Sequence, residues 1–248
     1  MRHPLLPTVL IGLGVLTITA PPARSQMDPA ADHRHHNHTM PMASPAPGAE
    51  ENQPMDQGAH DHDHDHDLGP AGATYDLRFI DGMVQHHTGA LRMSEFVFGI
   101  GEPGVGALGK TIWRDQADEI RAMGLWRKAW YPEAPVYPVA LAPGGDPDSL
   151  SGLTRMSQPQ IDAMRMMGNG PTKENRVVWF LEGMLEHHGG ALMMAHDALA
   201  KSNNTTILRF AREVILAQRV EIIELRRMLA VEGLRKPDYH KFDALFRL

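Results

Sequence analysis

The sequence predicts an all-α protein: a four-helix bundle made of two repeated helical hairpins, with a disordered N-terminal segment. Three observations predict this fold. Apolar residues recur at helical spacing in four long segments. Two of these segments repeat each other. Breaks rich in glycine, proline or asparagine separate the helices. A four-helix bundle is the simplest arrangement that buries the apolar stripes of two such hairpins.

Residues 1–25 form a predicted signal peptide. Arg2 and His3 precede a short apolar run from Leu5 to Ile18, and small residues follow it. This run is shorter than the roughly 20 apolar residues that a spanning helix needs. We therefore expect cleavage after Ser25, a periplasmic or secreted protein, and no stable membrane insertion once the signal is removed.

Residues 26–74 form a low-complexity segment that we expect to be disordered, because few of its side chains can offset the cost of ordering the backbone. The segment is rich in aspartate, histidine and methionine. Its histidines and methionines are His33, His35, His36, His38, His60, His62, His64 and His66, and Met27, Met40, Met42 and Met55. Histidine-rich tracts often bind metal ions. Loose metal binding and a solvated spacer both fit this composition.

The helical part follows in three predicted sections and a tail. Residues 75–131 form the first hairpin, whose helices are separated by the glycines of "GIGEPGVG". Residues 132–171 form a linker with one short helix, for which Ser157 is the expected N-cap. Residues 172–232 form the second hairpin, and residues 233–248 form a C-terminal tail. Almost no segment is predicted to be a strand.

The internal repeat is the most specific pattern in the chain. Phe79–Met93 aligns with Phe180–Met194 at an offset of 101 residues, and nine of fifteen positions are identical. The shared pattern is Met-x-x-His-His-x-Gly-Ala-Leu-x-Met. At about 100° per residue, both methionines and the first histidine share one helical stripe, and the second histidine flanks it. The candidate metal ligands are Met83, His86, His87 and Met93 in the first copy, and Met184, His187, His188 and Met194 in the second.

Methionine and histidine together favour copper. Thioethers bind Cu(I) well and bind magnesium or calcium poorly, while imidazole accepts copper in either oxidation state. Zinc sites more often combine histidine with cysteine, aspartate or glutamate. Silver is the expected chemical mimic. The same residues also fit a core without metal, because methionine fills irregular gaps and a buried histidine can bond to Gln116 or Glu119. In a metal site, Glu119 and Glu221 are expected to orient imidazoles.

Several other functions are disfavoured. The net charge of −6 argues against a nucleic-acid partner, which needs a basic surface. The chain has no cysteine, so it has neither disulfides nor a cysteine nucleophile. The run "GVGALGKT" at Gly104–Thr111 matches a P-loop, but a P-loop requires a parallel sheet. No glutamate has a histidine three residues later, which argues against a di-iron oxidase.

The stretches "FIDGMVQHHTGALRM…DQADEIRAM" and "FLEGMLEHHGGALMM…AQRVEIIELRRML" resemble the domain-of-unknown-function 305 family over about residues 75–232. The resemblance implies a ferritin-like four-helix fold and, from members of the CopM type, periplasmic copper binding linked to copper resistance. It implicates the eight repeated methionines and histidines as ligands. It also adds Met123, which follows the Gln-x-x-Glu-Ile pattern; the second repeat has Leu225 there.

We therefore expect an exported, non-enzymatic protein that binds Cu(I) or Cu(II) for copper sequestration or resistance. Two alternatives stay open: a structural or interaction bundle with core histidines and no metal, and a copper-dependent redox enzyme. Metal ions are the expected partners. The sequence leaves open a homo-oligomer, a copper-handling protein partner, and whether the two repeats share one site.

Overall fold

The computed structural model describes residues 66–101 and 104–248, and this part of the chain confirms the all-α bundle. The four long helices are α1 (Tyr75–Glu95), α2 (Val105–Trp130), α4 (Arg176–Lys201) and α5 (Thr205–Val231). Within each hairpin the two helices pack against each other, and α1 packs against α4 to join the hairpins. No helix in the described ranges is both long enough and apolar enough to cross a membrane. The predicted signal peptide and residues 26–65 lie outside the described residues.

The segment between the hairpins is more structured than a linker. It contains the strands β1 (Val139–Leu141) and β2 (Leu153–Arg155), which pair antiparallel, and the short helix α3 (Gln158–Arg165). The strands were not predicted because three residues are too few to show a period of two. The N-cap of α3 is confirmed: Ser157 accepts a hydrogen bond from the backbone N–H of Gln160, whose side chain accepts one from the N–H of Ser157.

The first hairpin is preceded by a segment that packs on the bundle, so the sequence-based boundary at residue 75 differs from the structure. Leu68 is 5% exposed, and Arg78, itself buried, donates to the carbonyl oxygens of Leu68 and Pro70. Arg78 also donates to the hydroxyl of Thr74. A buried guanidinium needs such acceptors. Residues 66–74 therefore belong to the folded part of the chain, although their composition suggested otherwise.

The predicted C-terminal tail folds back over α4. Tyr239 and Phe242 are buried, and the hydroxyl of Tyr239 donates to Glu182 on α4. The ring of Phe242 covers Gly189 so closely that a Cβ on this glycine would lie 2.1 Å from a ring carbon. The tail thus closes the outer side of α4 beside His188.

A buried aspartate attaches the strand pair to the bundle. Asp81 on α1 accepts a hydrogen bond from the backbone N–H of Val139 at 2.9 Å and one from Nε of Arg127 on α2 at 2.6 Å. The carboxylate is fully buried, and the side chain of Arg127 is 19% exposed. Removing the carboxylate would leave a cation and a backbone N–H without their acceptor.

We predict that Asp81→Ala lowers the free energy of unfolding by about 3 kcal/mol, the range for breaking a buried ion pair. Asp118→Ala is the matched control, because Asp118 forms a similar pair with Arg121 in which both side chains are exposed. The control is expected to cost less than about 1 kcal/mol. Urea unfolding of the two variants measures the difference. Equal losses would contradict a special role for the buried pair.

Candidate metal centre

The contact between α1 and α4 brings the first histidines of the two repeats against each other. The ring centroids of His86 and His187 are 3.8 Å apart, with planes tilted by 47°, and both side chains are fully buried. The helices cross antiparallel, since Gly82 lies opposite Met194 and Gly183 lies opposite Met93. The two stripes therefore face each other across the bundle.

The last methionine of each stripe packs against a glycine of the other repeat. A Cβ on Gly183 would lie 2.8 Å from Cε of Met93, and a Cβ on Gly82 would lie 3.5 Å from Cε of Met194. The glycines thus let two flexible side chains fill the helix–helix contact. These two predicted ligands have a clear packing role, in which their methyl groups point at the opposite helix.

All nine predicted ligands lie in the interior. None is more than 1% exposed: Met83, His86, His87, Met93, Met123, Met184, His187, His188 and Met194. The structure brings the histidines of each pair to different neighbours. The first histidine of each pair meets its counterpart between α1 and α4, whereas the second turns toward the other helix of its own hairpin. Their assignment as metal ligands stays a prediction.

The second histidine of each pair bonds to a glutamate. Nε2 of His87 is 2.6 Å from Oε2 of Glu119 on α2, and Nε2 of His188 is 2.7 Å from Oε2 of Glu221 on α5. A carboxylate can only accept, so Nε2 of each imidazole donates to it, and in the neutral tautomer Nδ1 carries the lone pair. Both Nδ1 atoms are buried and have no hydrogen-bond partner in the described part of the chain. The glutamates fix the tautomer and the ring orientation.

The first histidines break the symmetry of the repeat. Nε2 of His187 donates to the backbone carbonyl of His86 at 2.9 Å. His86 has no reciprocal bond, and among the described residues neither of its ring nitrogens has a hydrogen-bond partner. A neutral imidazole carries one donor and one acceptor. Burying either without a partner costs about 1–3 kcal/mol, so His86 is an exception that requires an explanation.

Burial keeps both facing histidines neutral. Loss of solvation, followed by the repulsion that a second proton on His187 would cause, holds the pKa of His86 well below its usual value. Loss of solvation, followed by the same repulsion from His188, holds the pKa of His187 well below its usual value. Neutral imidazole is the form that binds metal ions.

Two glutamines and a further histidine border this layer. Gln116 and Gln218, one helical turn before Glu119 and Glu221, are buried, and the side-chain oxygen of each lacks a hydrogen-bond partner within the described ranges. The ring centroid of His66 lies 5.3 Å from that of His86. The alignment of the two repeats places these glutamines at corresponding positions. The composition of residues 26–74 placed His66 in a disordered tract, and no local pattern indicated its contact with the bundle.

Imidazoles and carboxylates alone do not make a metal site here. Within residues 66–101 and 104–248, no group of three or more histidine, aspartate or glutamate side chains is arranged to hold a metal ion. The chain has no cysteine. The remaining soft donor in this part of the protein is methionine sulfur, and the methionines of both repeats are buried there.

The family model described as "domain of unknown function (DUF305)" matches residues 76–229, more than half of the chain. The protein therefore belongs to the DUF305 family, and the family resemblance inferred from the repeated motif is confirmed.

Three solved structures illustrate the similarity. CopM in the Cu(I)-bound form is 25% identical and covers 63% of this chain and 96% of its own, with a TM-score of 0.46. A DUF305 putative secreted protein from Streptomyces coelicolor is 24% identical, covering 66% and 94%, with a TM-score of 0.46. A DUF305 fragment from Deinococcus radiodurans is 22% identical, covering 66% and 99%, with a TM-score of 0.43. No curated protein matches the chain.

We predict that the metal-free protein loses stability as the pH falls below about 6.5, the usual pKa of histidine. The pKa values of His86 and His187 are lower in the folded chain than in the unfolded chain, so the unfolded chain binds more protons in acid. The free energy of unfolding should fall by up to about 1.4 kcal/mol per pH unit for each histidine. Urea unfolding between about pH 7.5 and pH 5 measures this slope.

We further predict that His86→Leu halves the pH dependence of the free energy of unfolding that His86 and His187 cause together. The same change should not lower the free energy of unfolding at neutral pH. The change removes a buried imidazole whose nitrogens lack hydrogen-bond partners among the described residues, and it keeps an apolar side chain of similar size. His240→Ala is the control, because the His240 side chain is 63% exposed. A large loss of stability in His86→Leu would instead identify His86 as a structural core residue.

Proposed function

We propose that this protein is an exported, non-enzymatic copper-binding protein that holds Cu(I) or Cu(II), with silver as a mimic, for copper sequestration or resistance. His86 carries the proposal. It is a buried, neutral imidazole at the join of the two repeats, and no described residue hydrogen-bonds to its nitrogens. A metal ion bound to its lone pair would account for a polar group that costs stability in the free protein.

The choice of copper rests on the donors that surround this imidazole. The first histidines of both repeats meet between α1 and α4, and the repeated methionines are buried in the core of the same bundle. The described residues offer no three-residue cluster of histidine, aspartate and glutamate that would suit zinc. Thioether sulfur with imidazole nitrogen suits Cu(I), and imidazole also accepts Cu(II). His86 is the residue best placed to bind the ion; the other predicted ligands lie in the same interior.

The glutamates have a supporting role in this proposal. Glu119 and Glu221 each accept a hydrogen bond from the second histidine of a repeat. Such a bond fixes which nitrogen carries the proton and makes the imidazole a better ligand. His87 and His188 could thus contribute their Nδ1 atoms to copper. The same two bonds also fit a purely structural function, in which these histidines link the helices of each hairpin.

The structural bundle is therefore the second candidate. It predicts that His86→Ala and His187→Ala lower thermal stability and leave metal content unchanged. A copper-dependent redox enzyme would be revealed by turnover of Cu(I) under oxygen, and we propose no such activity.

We predict that the mature chain binds Cu(I) tightly in an anaerobic titration and that His86→Leu weakens this binding. Cu(I) and Ag(I) should compete for the same sites, and Zn(II) should bind much more weakly, because zinc seldom uses thioether ligands. His240→Ala is the control for loss of an exposed histidine. Absence of Cu(I) binding at micromolar concentrations would rule out the proposal.

The contribution of the histidine-rich tract can be separated in the same titration. A chain that starts at residue 66 should be compared with the full mature chain, because residues 66–74 pack against α1. Sites lost on truncation belong to residues 26–65. Sites that persist belong to the bundle.

A further inference from the structure

We propose that His66, His86 and Met166 form one site for a soft monovalent cation, Cu(I) or Ag(I), beside Gly190, in which both imidazoles are buried and the methionine is half-buried. The identity of the ion rests on the function proposed above. The ligand set is new, because two of its three members lie outside the repeated motif: His66 precedes α1, and Met166 ends α3. The site would therefore be assembled from three separate segments of the chain.

Three donor atoms converge beside the backbone of α4. A Cβ placed on Gly190 would lie 2.6 Å from Nε2 of His66, 3.0 Å from Nε2 of His86 and 3.0 Å from Sδ of Met166. Metal bonds to imidazole nitrogen and to sulfur are about 2.0–2.3 Å long. Small side-chain movements would bring all three donors to a single ion. Glycine at position 190 is what permits donors to approach the helix this closely.

The donors select the type of ion. Two imidazoles and one thioether include no anionic group, and the side chains of His66 and His86 are 5% and 0% exposed. Burying a charged ion in a medium of low polarity is costly, and a divalent ion costs more than a monovalent one. A site with no carboxylate among its ligands therefore favours a monovalent ion. The thioether favours a soft one.

His66 is held at the site through the residues that follow it. Leu68 is buried against Gly82, where an added Cβ would lie 2.8 Å from its methyl carbon. Arg78 donates to the carbonyl of Leu68, and Nζ of Lys201 donates to the carbonyl of Gly69 at 2.9 Å. These contacts anchor the segment to α1 and α4. They fix the backbone within a few residues of the imidazole.

Met166 is held by an unusual backbone conformation. It lies in the left-handed region, at φ 50° and ψ 31°, and is the only non-glycine residue with positive φ in the described ranges. This conformation ends α3, and the backbone N–H of Met166 donates to the carbonyl oxygens of Asp162 and Ala163. The guanidinium of Arg165 donates to Oε1 of Gln85 at 2.8 and 3.1 Å. Since Gln85 precedes His86, this bond sets the end of α3 beside the imidazole.

The equivalent position in the first repeat cannot form the same site. Gly89 corresponds to Gly190 in the alignment of the repeats, but a Cβ there would lie 1.9 Å from the backbone oxygen of Arg165. The end of α3 thus packs directly on one glycine and presents a thioether beside the other. His187 already donates to the carbonyl of His86. The two repeats therefore share one such site.

The test is an anaerobic titration of the full mature chain with Cu(I), in competition with a chromophoric Cu(I) chelator. His66→Ala and Met166→Leu are each expected to weaken the tightest site by at least about tenfold, the lower end of the loss seen when even an outer partner of a ligand is removed. His240→Ala and Met167→Leu are the matched controls, an exposed histidine and the neighbouring methionine, and should leave this affinity unchanged.

Two glycine-to-alanine variants distinguish a loss of copper binding from a loss of folding. Gly190→Ala places a methyl group where the three donors converge, and it should displace the ends of flexible side chains and abolish the tight Cu(I) site. Gly124→Ala on α2 is the control, because no atom of the described residues lies within 4 Å of the added carbon beyond its own helix. Both changes raise helix propensity, so both variants should fold. Circular dichroism of the metal-free proteins checks this.

X-ray absorption at one equivalent of Cu(I) reports the ligands directly. The wild type should show sulfur scattering that Met166→Leu loses and Met167→Leu keeps. Tight binding that is unchanged in His66→Ala, Met166→Leu and Gly190→Ala would overturn this site and leave the proposed copper-binding function intact. Failure of the wild type to bind Cu(I) would overturn both.

Discussion

The packing of two buried imidazoles between α1 and α4 is the constraint on which the rest of the structure depends. His86 and His187 occupy the centre of the contact that joins the hairpins, and the only hydrogen bond between them runs from the imidazole of His187 to the backbone of His86. Apolar burial holds the helices together. Gly82 and Gly183 let them approach, because each accommodates a methionine methyl from the other repeat. The cost of the contact is concentrated in His86, whose polar nitrogens are removed from water without hydrogen bonds to the described residues.

The added segments around the bundle make two similar hairpins different. The end of α3 packs on the backbone at Gly89, while the segment that begins at His66 and the side chain of Met166 meet at Gly190. Phe242 from the C-terminal segment covers the neighbouring Gly189. Each glycine after a histidine pair is thus approached by a different group. The duplicated motif consequently yields two environments. The imidazole of His187 donates to a backbone carbonyl, whereas the imidazole of His86 lies near the His66 nitrogen and the Met166 sulfur.

Several features could be predicted from sequence because the signal for them is local. The four helices follow from apolar periodicity, and the cap of α3 follows from Ser157 and Gln160. The matching positions of Glu119 and Glu221 predict that these glutamates orient imidazoles, and the structure shows that they bond to the second histidine of each pair. The strand pair was missed because each strand has three residues. The packed segment before α1 was missed because its anchor, Arg78, is a charged residue whose burial depends on distant carbonyl groups.

The sequence by itself determined that two copies of a Met–His–His stripe lie on helices of a bundle, because helical periodicity depends only on the order of residues. Only the tertiary structure decided that the stripes face each other and that their histidines have unequal partners. Those outcomes depend on which segments cover each glycine, and the covering segments are separated from the motif along the chain. His66 and Met166 show this most clearly, since neither belongs to the repeat and both lie beside Gly190 together with His86.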